Sequence, residues 1–321
     1  MANLKEVAKL AGVSPTTVSR VLNNHPHVNK DTRNKVHQII EELNYIPNIN
    51  AINLIKGKTN LIGIVIPFSN YPYFSQLIQG ISEVATQKNK KVVLFQTSYD
   101  SKQELEALEM LKLKQLDSLI ICSRNISIAT IESYLQYGPI SIFENIKNTT
   151  LHTTYIDHYH AFKHALQYLY KLGHRDIGCV INRRNSSSSI QRLSAYKDFC
   201  LEHHIPIKEE LIFENYALLE DGKALYESLK KTKTIPSAIV ISSDHTAAGL
   251  YLSLSETERK NFSIIGFENQ EISTLLNITT VDIPLHTIGI QLFKQLSNNS
   301  ITQTKFDTHL IKRHSVFKLK D

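Results

Sequence analysis

The sequence predicts two kinds of structure in one chain: an all-α domain at the N-terminus, followed by an α/β body of two lobes with parallel sheets. Residues 1–46 contain three short helical segments with capping residues at their ends. From residue 60 onward, apolar β-branched runs alternate with amphipathic helical stretches, which is typical of parallel sheets covered on both faces. These runs form two successive series, and two series indicate two lobes.

The N-terminal helices are predicted from local capping signals. A capping box, Asn3–Glu6, opens the first helix, and Gly12 ends it. Ser14 caps the second helix, and Pro15 takes its first position, where the missing N–H costs nothing. The third helix begins near Asn29. The apolar residues expected to form the small core are Val7, Ala8, Leu10, Val18, Val21, Leu22, Val36, Ile39, Ile40 and Leu43.

The body is predicted from its apolar runs. Strands are expected at 61–67, 91–97, 117–123 and 139–143 in the first series, and at 176–182, 237–243 and 262–267 in the second. Between the two domains, residues 47–59 form a connector that is too short to be a stable helix in isolation.

Charge and composition narrow the class of protein. Residues 1–59 hold eight basic and four acidic side chains, a net charge of +4 out of +6 for the whole chain, which is typical of a tethered nucleic-acid binder. No apolar run of about 18 residues and no signal peptide is present, so we expect a cytoplasmic protein without a membrane partner. Cys122, Cys179 and Cys200 form no disulfide framework and are expected to be buried and reduced.

A helix-turn-helix motif is the strongest functional signal. The tight turn 11–13 is followed by a second helix whose outer face carries polar residues: Pro15, Thr16, Thr17, Ser19 and Arg20. In a major groove, Thr16 can contact base edges or a thymine methyl, and Arg20 can form a bidentate pair with guanine. The alternative is a small structural bundle with a solvated polar face.

Signals for catalysis are weak. The sequence has no phosphate-binding loop of the Gly-x-x-x-x-Gly-Lys-Ser/Thr type and no Gly-x-Ser-x-Gly nucleophile elbow. The histidine pairs 25/27, 158/160 and 203/204 lack cysteines or carboxylates at metal-site spacing. We therefore expect no enzyme activity, no metal and no cofactor.

Several motifs together resemble the LacI/GalR family of transcriptional regulators, and within it the catabolite control protein B branch. The residues that carry the resemblance are Leu4 to Leu22, Asn44-Tyr45-Ile46-Pro47-Asn48, Ile55-Lys56-Gly57-Lys58-Thr59, Gly63-Ile64-Val65-Ile66-Pro67, Tyr73-Phe74, Gly80-Ile81, Thr97-Ser98-Tyr99, Gln136-Tyr137-Gly138-Pro139, Gly173-His174-Arg175, Ile265-Gly266-Phe267 and Thr279-Thr280-Val281. The resemblance implies a body with the periplasmic-binding-protein fold. It also implies a homodimer bound to a palindromic double-stranded DNA operator, with carbon-catabolite or sugar-utilisation genes as targets.

For DNA, the resemblance implies a domain division into a helix-turn-helix unit at 1–46 and a hinge helix at 47–59. Leu54 stands where the family inserts a leucine into the minor groove, and a wedge of this kind kinks the duplex. Ile52 replaces a frequent arginine, which removes one polar hinge contact. The complete set of expected DNA-binding residues is Pro15, Thr16, Thr17, Arg20, Asn29 and Leu54.

For the effector body at 60–321, the resemblance implies a ligand in the cleft between an N-lobe of about 60–158 and 285–312 and a C-lobe of about 159–284 and 313–321. The expected effector-binding residues are Ser69, Tyr73, Phe74, Arg124, Glu144, Arg192, Asp244 and Glu268, most of which follow strand ends. Glu268 replaces a usual aspartate, and His158 replaces a common asparagine. Because Arg192 follows four serines at 186–189, we expect a sugar or sugar phosphate as the ligand.

A protein partner is also implied. Catabolite control relatives bind the serine-phosphorylated phosphocarrier protein HPr, and Lys294 stands where a basic residue helps to receive it. Thr287 replaces an aspartate of the docking sequence. A different class of function is a solute-binding module or a sugar-processing enzyme with an incidental N-terminal bundle.

Overall fold

Three short helices form the N-terminal unit, as their capping signals predict. The computed structural model describes residues 3–46, 53 and 57–319. The chain divides into two units, residues 1–59 and residues 60–321. The helices of the first unit are α1 (Leu4–Ala11), α2 (Pro15–Leu22) and α3 (Lys30–Glu42).

The predicted caps are confirmed. The side chains of Asn3 and Glu6 each accept the backbone N–H of the other residue, at 3.1 and 2.9 Å, and Gly12 is left-handed with φ +66°. The Ser14 hydroxyl accepts the N–H of Thr17, and the Asn29 side chain accepts that of Asp31. These bonds satisfy donors that a helix leaves free at its N-terminus.

The core of this unit is built from Val7, Ala8, Ala11, Val18, Val21, Val36 and Ile39. The expectation for Leu10 is wrong, because its side chain is 57% exposed. It lies outside the stripe of Val7, Ala8 and Ala11, and Ala11 takes the inward position instead. Arg33 fastens the loop before α3 by donating to the Asn24 side chain and to the carbonyl of His25.

The body alternates strands and helices along the chain. Its elements up to residue 171 are β1 (Leu61–Ile66), α4 (Pro72–Gln87), β2 (Lys91–Gln96), α5 (Ser101–Lys112), β3 (Ser118–Ile121), α6 (Ile128–Ser133), β4 (Ile140–Phe143), β5 (His152–Ile156) and α7 (His158–Lys171). The later elements are β6 (Ile177–Val180), α8 (Ser187–Glu202), β7 (Ile212–Phe213), α9 (Asp221–Leu229), β8 (Ala238–Ile241), α10 (Asp244–Ser253), α11 (Glu256–Asn261), β9 (Ser263–Glu268), α12 (Glu271–Leu275), β10 (Thr279–Asp282), α13 (Leu285–Gln295), β11 (Gln303–Phe306) and β12 (His309–Ile311).

These strands form two six-stranded sheets, one in each lobe. The first sheet has the order β11-β5-β4-β3-β1-β2 and is entirely parallel. The second has the order β12-β10-β9-β8-β6-β7, and its edge strand β12 is antiparallel to β10. Helices cover both faces of each sheet: α4 and α13 lie opposite α5 and α6 in the first lobe, and α7 and α8 lie opposite α9 and α10 in the second. The predicted fold class is confirmed.

The chain passes between the lobes three times. The crossings follow β5, β10 and β11. The third crossing lies before His309, whereas the sequence predicted the lobe boundary after residue 312. The difference arises because β12 pairs with Thr280–Asp282 of the second sheet and completes its edge. Within the described residues, no helix is long and apolar enough to cross a membrane.

Candidate DNA-reading surface and effector cleft

Helix α2 presents a polar surface, and its other face is buried through Val18 and Val21. Pro15, Thr16 and Arg20 are exposed on that surface. Thr17 is half-buried, and its hydroxyl lies 3.0 Å from the hydroxyl of Ser14, so it supports the cap. The side-chain oxygen of Asn29 is likewise engaged, because it accepts the N–H of Asp31 and caps α3.

Leu54 and Ile52 lie outside the described residues, so the hinge prediction stays a prediction.

A cavity of about 370 Å³ lies between the two lobes. It opens at the carboxyl ends of β1, β3 and β4 in the first lobe and of β6, β8 and β9 in the second. Loops at this edge of a parallel sheet are the usual ligand-binding elements of open α/β folds. The volume lies in the range of small-molecule sites, which is about 300–1,000 Å³. Its lining includes six of the eight predicted effector residues: Tyr73, Phe74, Arg124, Glu144, Arg192 and Glu268.

Aromatic rings form part of the first-lobe wall. Tyr73 stacks on Phe143 with ring centroids 6.2 Å apart and an interplanar angle of 22°. Phe74 is only 5% exposed and meets the Tyr73 ring edge-on at 5.0 Å. Tyr73 and Phe143 together offer an apolar surface to the cavity.

Arg124 and Glu144 form an ion pair in the same wall. The Arg124 guanidinium donates from Nε and Nη2 to the two carboxylate oxygens of Glu144 at 2.7 and 2.8 Å. A two-point bond of this kind fixes both side chains. The loop that carries Arg124 is held by Glu104, a buried carboxylate that accepts the N–H groups of Asn125 and Ile126. Glu104 could not be identified from the sequence, because a carboxylate inside an amphipathic helix resembles a solvated surface residue.

The second-lobe wall contains buried polar groups without partners. Arg192 is 6% exposed, and its Nε has no hydrogen-bond partner among the described residues. The guanidinium lies 5.2 Å from the centroid of the Phe267 ring. The hydroxyl of Ser189, one turn earlier on α8, also lacks a partner among the described residues, but it is fully buried behind this wall and does not line the cavity. Leaving such groups unpaired is costly, so a polar ligand at this wall is favoured.

Glu268 ends β9 in a strained conformation. Its φ of +102° lies in the left-handed region, which costs about 1–3 kcal/mol for a residue other than glycine. Burial and the neighbouring Asp244 raise the pKa of Glu268 well above its usual value, while Arg192 acts in the opposite direction. Burial thus favours the neutral form of the Glu268 carboxyl, which can donate a hydrogen bond into the cavity. Burial and Arg192 hold the pKa of His158 well below its usual value, so its imidazole is uncharged there.

Two predicted effector residues do not line the cavity. Ser69 is exposed, and its hydroxyl donates to the side chain of Gln96 at 2.6 Å. Asp244 is fully buried behind the wall, where its carboxylate accepts the N–H of Gln270 and the hydroxyl of Thr280, each at 2.7 Å. Both side chains are engaged inside their own lobe, so we remove them from the candidate site.

Contacts between the lobes were missed by the sequence analysis. The Tyr71 hydroxyl donates to the carbonyl of Ala217 at 2.6 Å, and the Gln76 amide donates to Gln270 at 3.1 Å. The guanidinium of Arg183 lies 3.3 Å from the centroid of the Tyr99 ring. Tyr71, Tyr99 and Arg183 all follow strand ends, and this position was the one available signal.

A helix-turn-helix unit joined to a two-lobed α/β body with an interlobe cavity defines a DNA-binding regulator with a ligand-sensing domain. The comparison with known families agrees. The model for periplasmic binding proteins and sugar binding domain of the LacI family matches residues 59–318, and the model for bacterial regulatory proteins of the lacI family matches residues 3–48. The chain belongs to the LacI family of DNA-binding transcriptional regulators.

The relatives named here are regulators, and the chain matches them over nearly their whole length. The chain is 38% identical to the uncharacterized HTH-type transcriptional regulator YkvZ of Bacillus subtilis (strain 168), covering 98% of this chain and 100% of the relative. It is 35% identical to catabolite control protein B of the same organism, covering 91% and 93%. A Lac repressor dimer bound to operator and the anti-inducer ONPF shares the fold, with a TM-score of 0.80, 23% identity and coverage of 98% and 99%. The resemblance stated from the sequence is confirmed. The alternative of an enzyme or a solute-binding module is not supported, because the relatives are transcriptional regulators.

Proposed function

We propose that the protein is a repressor that binds a palindromic operator as a homodimer and responds to a small molecule in the interlobe cavity. The proposal that this protein reads DNA rests on the exposure of Thr16 and Arg20 on α2. This helix is capped at its N-terminus, and its opposite face is buried. A helix fixed in this way can hold its side chains at constant positions in a major groove. The proposed division is a reading domain at 1–46, a hinge at 47–59 and a sensor at 60–321.

Arg192 supports a sugar or sugar phosphate as the effector. Its buried guanidinium has an unsatisfied donor, and ligand hydroxyl or anionic oxygens would accept from it. The stacked rings of Tyr73 and Phe143 suit the apolar face of a sugar ring. Ligand binding in the cavity and operator binding by the N-terminal unit would then be coupled. A ligand that favours one lobe arrangement would change the order of the hinge, and this would change the affinity for the operator.

Docking of serine-phosphorylated HPr at Lys294 is a separate proposal, linked to carbon catabolite control. Lys294 is exposed in the last turn of α13, while the neighbouring Phe293 and Gln295 are buried. An exposed cation of this kind suits a phosphoserine. The 35% identity with a catabolite control protein supports the same class of regulation.

Gel-shift titration on fragments of the source genome tests the DNA-binding function. The protein should retain a subset of fragments selectively, with an affinity that falls as salt rises. Arg20→Ala should cost about 1–3 kcal/mol on the selected site and relax discrimination at one guanine per half-site. Lys9→Ala is the matched control, since it removes an exposed charge from another helix of the same unit. Unselective retention, or unchanged base preference in Arg20→Ala, would contradict the proposal.

A further inference from the structure

Lysine residues cluster at the amino edge of the first-lobe sheet. Strand β1 lies between β2 and β3, so the segments that lead into those two strands lie on either side of Asn60, the residue before β1. The carbonyl of Asn60 accepts the N–H of Lys91 at 2.8 Å, and its N–H donates to the Asp117 carboxylate at 3.1 Å. The two segments, residues 88–91 and 112–117, together hold five lysines and one carboxylate: Lys88, Lys90, Lys91, Lys112, Lys114 and Asp117.

Three of these lysines are engaged inside the lobe. Lys90 and Lys112 each form an ion pair with a nearby carboxylate, at 2.8 and 3.1 Å. Lys114 donates to the carbonyl of Tyr137. Cations that satisfy carboxylates and carbonyls at the ends of helices stabilise the lobe itself, so these three residues need no external partner.

Lys88 and Lys91 are not explained in this way. Both side chains are exposed, and within the described part of the chain neither has a carboxylate at ion-pair distance. The left-handed Asn89, with φ +53°, makes the tight turn from α4 into β2, and pairing with Leu61 holds Lys91 at the start of the edge strand. The backbone thus keeps two unpaired cations close together. Neighbouring like charges repel each other, so such a cluster favours a bound anion.

The position of the cluster along the chain indicates which anion binds there. Asn60 begins the sensor body, and the connector 47–59 joins that body to the proposed DNA-reading domain. A connector of this length spans at most about 45 Å, so DNA bound by residues 1–46 is tethered to the same edge. Tethering raises the effective concentration of DNA phosphates to about the millimolar range, where weak contacts with a few lysines contribute to affinity.

We propose that the first lobe has a DNA-contacting surface of its own, in which Lys88 and Lys91 bind phosphates of the operator that α2 reads. The proposal rests on the operator binding proposed above and goes beyond it, because the sensor body then contributes directly to DNA affinity. Phosphate contacts carry no sequence information, so this surface adds affinity and positions the duplex, while Thr16 and Arg20 read the bases. Lysine suits this role, because its ammonium group is a compact charge with no demand for a fixed planar geometry.

Salt-dependent gel-shift titration of the full chain on its selected operator tests this surface. Each phosphate contact steepens the fall of log K with log salt by about 0.9 on duplex DNA. Lys88→Gln/Lys91→Gln should therefore reduce the slope by about two for each bound chain. Its loss of affinity relative to wild type should shrink by about tenfold or more between about 50 and 200 mM salt. Base preference on single-base operator variants should not change, since no base contact is removed.

Two further double variants serve as controls. Lys231→Gln/Lys260→Gln changes the net charge by the same amount at exposed positions of the second lobe, and it should keep the wild-type slope. Lys88→Arg/Lys91→Arg retains both charges at the proposed surface and should also keep that slope. A wild-type slope in Lys88→Gln/Lys91→Gln, or an equal reduction in the second-lobe control, would overturn the proposal.

Ethylation interference on the same operator locates the contacts. Some phosphates whose ethylation blocks wild-type binding should lose this effect in Lys88→Gln/Lys91→Gln; an identical interference pattern would also overturn the proposal. Selective operator binding with an unchanged slope refutes the lysine surface and leaves the repressor function standing. A wild-type protein that binds DNA without selectivity refutes the repressor function, and one that binds no DNA refutes both.

Discussion

Asp244→Asn tests the role of a carboxylate that the sequence analysis assigned to the effector site. Asp244 is fully buried and accepts hydrogen bonds from Gln270 and Thr280. Burial raises the pKa of Asp244 from 3.8 to about 7, although these hydrogen bonds and the charge of Arg313 act in the opposite direction. The folded body thus keeps a proton on Asp244 at pH values where the unfolded chain has lost it.

The sign and size of the effect follow from this difference in pKa. Below about pH 4 the carboxyl is protonated in both states, so it adds no pH dependence. Between about pH 4 and pH 7 the unfolded chain binds fewer protons, so the free energy of unfolding falls as the pH rises. A difference of about 3 pKa units corresponds to about 4 kcal/mol, lost in full above pH 7. Asparagine cannot ionise, so the variant lacks this loss.

Urea unfolding of the full chain at pH values from about 5 to 8 measures the effect. The free energy of unfolding of Asp244→Asn should rise relative to that of the wild-type protein across this range. Asp282→Asn is the control, because that carboxylate is half-buried and bonded to the Asn269 side chain at 2.8 Å. The pKa of Glu268 is also raised, by burial and by Asp244. Its ionisation therefore lowers the free energy of unfolding as the pH rises, in the same direction as that of Asp244. Parallel stability curves for wild type and Asp244→Asn would refute the reasoning.

Three further predictions address the binding sites. Leu54→Ala should weaken binding to the operator and reduce DNA bending in circular-permutation gels, because the apolar wedge is lost; equal losses on random DNA would mean that Leu54 only supports folding. Arg192→Ala should lower ligand affinity about tenfold or more in calorimetry and abolish the effector response in gel shifts, since a charge-assisted bond is removed; an intact response would exclude Arg192 from the site. Serine-phosphorylated HPr should raise operator affinity and Lys294→Glu should reverse this gain, whereas equal responses to phosphorylated and unmodified HPr, or none, would contradict docking there.

The elements that could be predicted are those with local signals. The side chains of Asn3, Ser14 and Asn29 bond backbone groups two or three residues further along the chain. A few neighbouring residues are therefore enough to predict each cap. The central strands are continuous apolar runs because helices cover both of their faces. The strands β5 and β11 contain several polar residues and β12 is only three residues long, so no apolar run marks them. Their place is decided by pairing with distant segments, as when β11 joins β5 across about half of the chain.

The candidate site could be predicted in position but not in side-chain direction. The strand-end rule identifies the edge of the sheet, and Arg124 and Glu144, which it selected, line the cavity. It also selected Asp244, whose carboxylate turns back into the lobe. The reason lies in a different strand: a Cβ at Gly266 would come within 2.1 Å of the Asp244 carboxylate, so glycine there provides the space. No local signal around Asp244 contains that information.

The interlobe contacts suggest how a ligand in the cavity acts on the rest of the molecule. The pairs Tyr71–Ala217, Gln76–Gln270 and Arg183–Tyr99 join the two lobes, and an opening of the cavity would separate them. A ligand shifts the balance between open and closed lobes only by the difference in its binding free energy for the two arrangements. A molecule held by Arg192 alone would bind both arrangements alike and shift nothing. One that also contacts the stacked rings of Tyr73 and Phe143 in the first lobe would bind the closed arrangement more tightly. In the proposed effector site, contact with the first lobe is therefore what would couple ligand binding to the lobe arrangement.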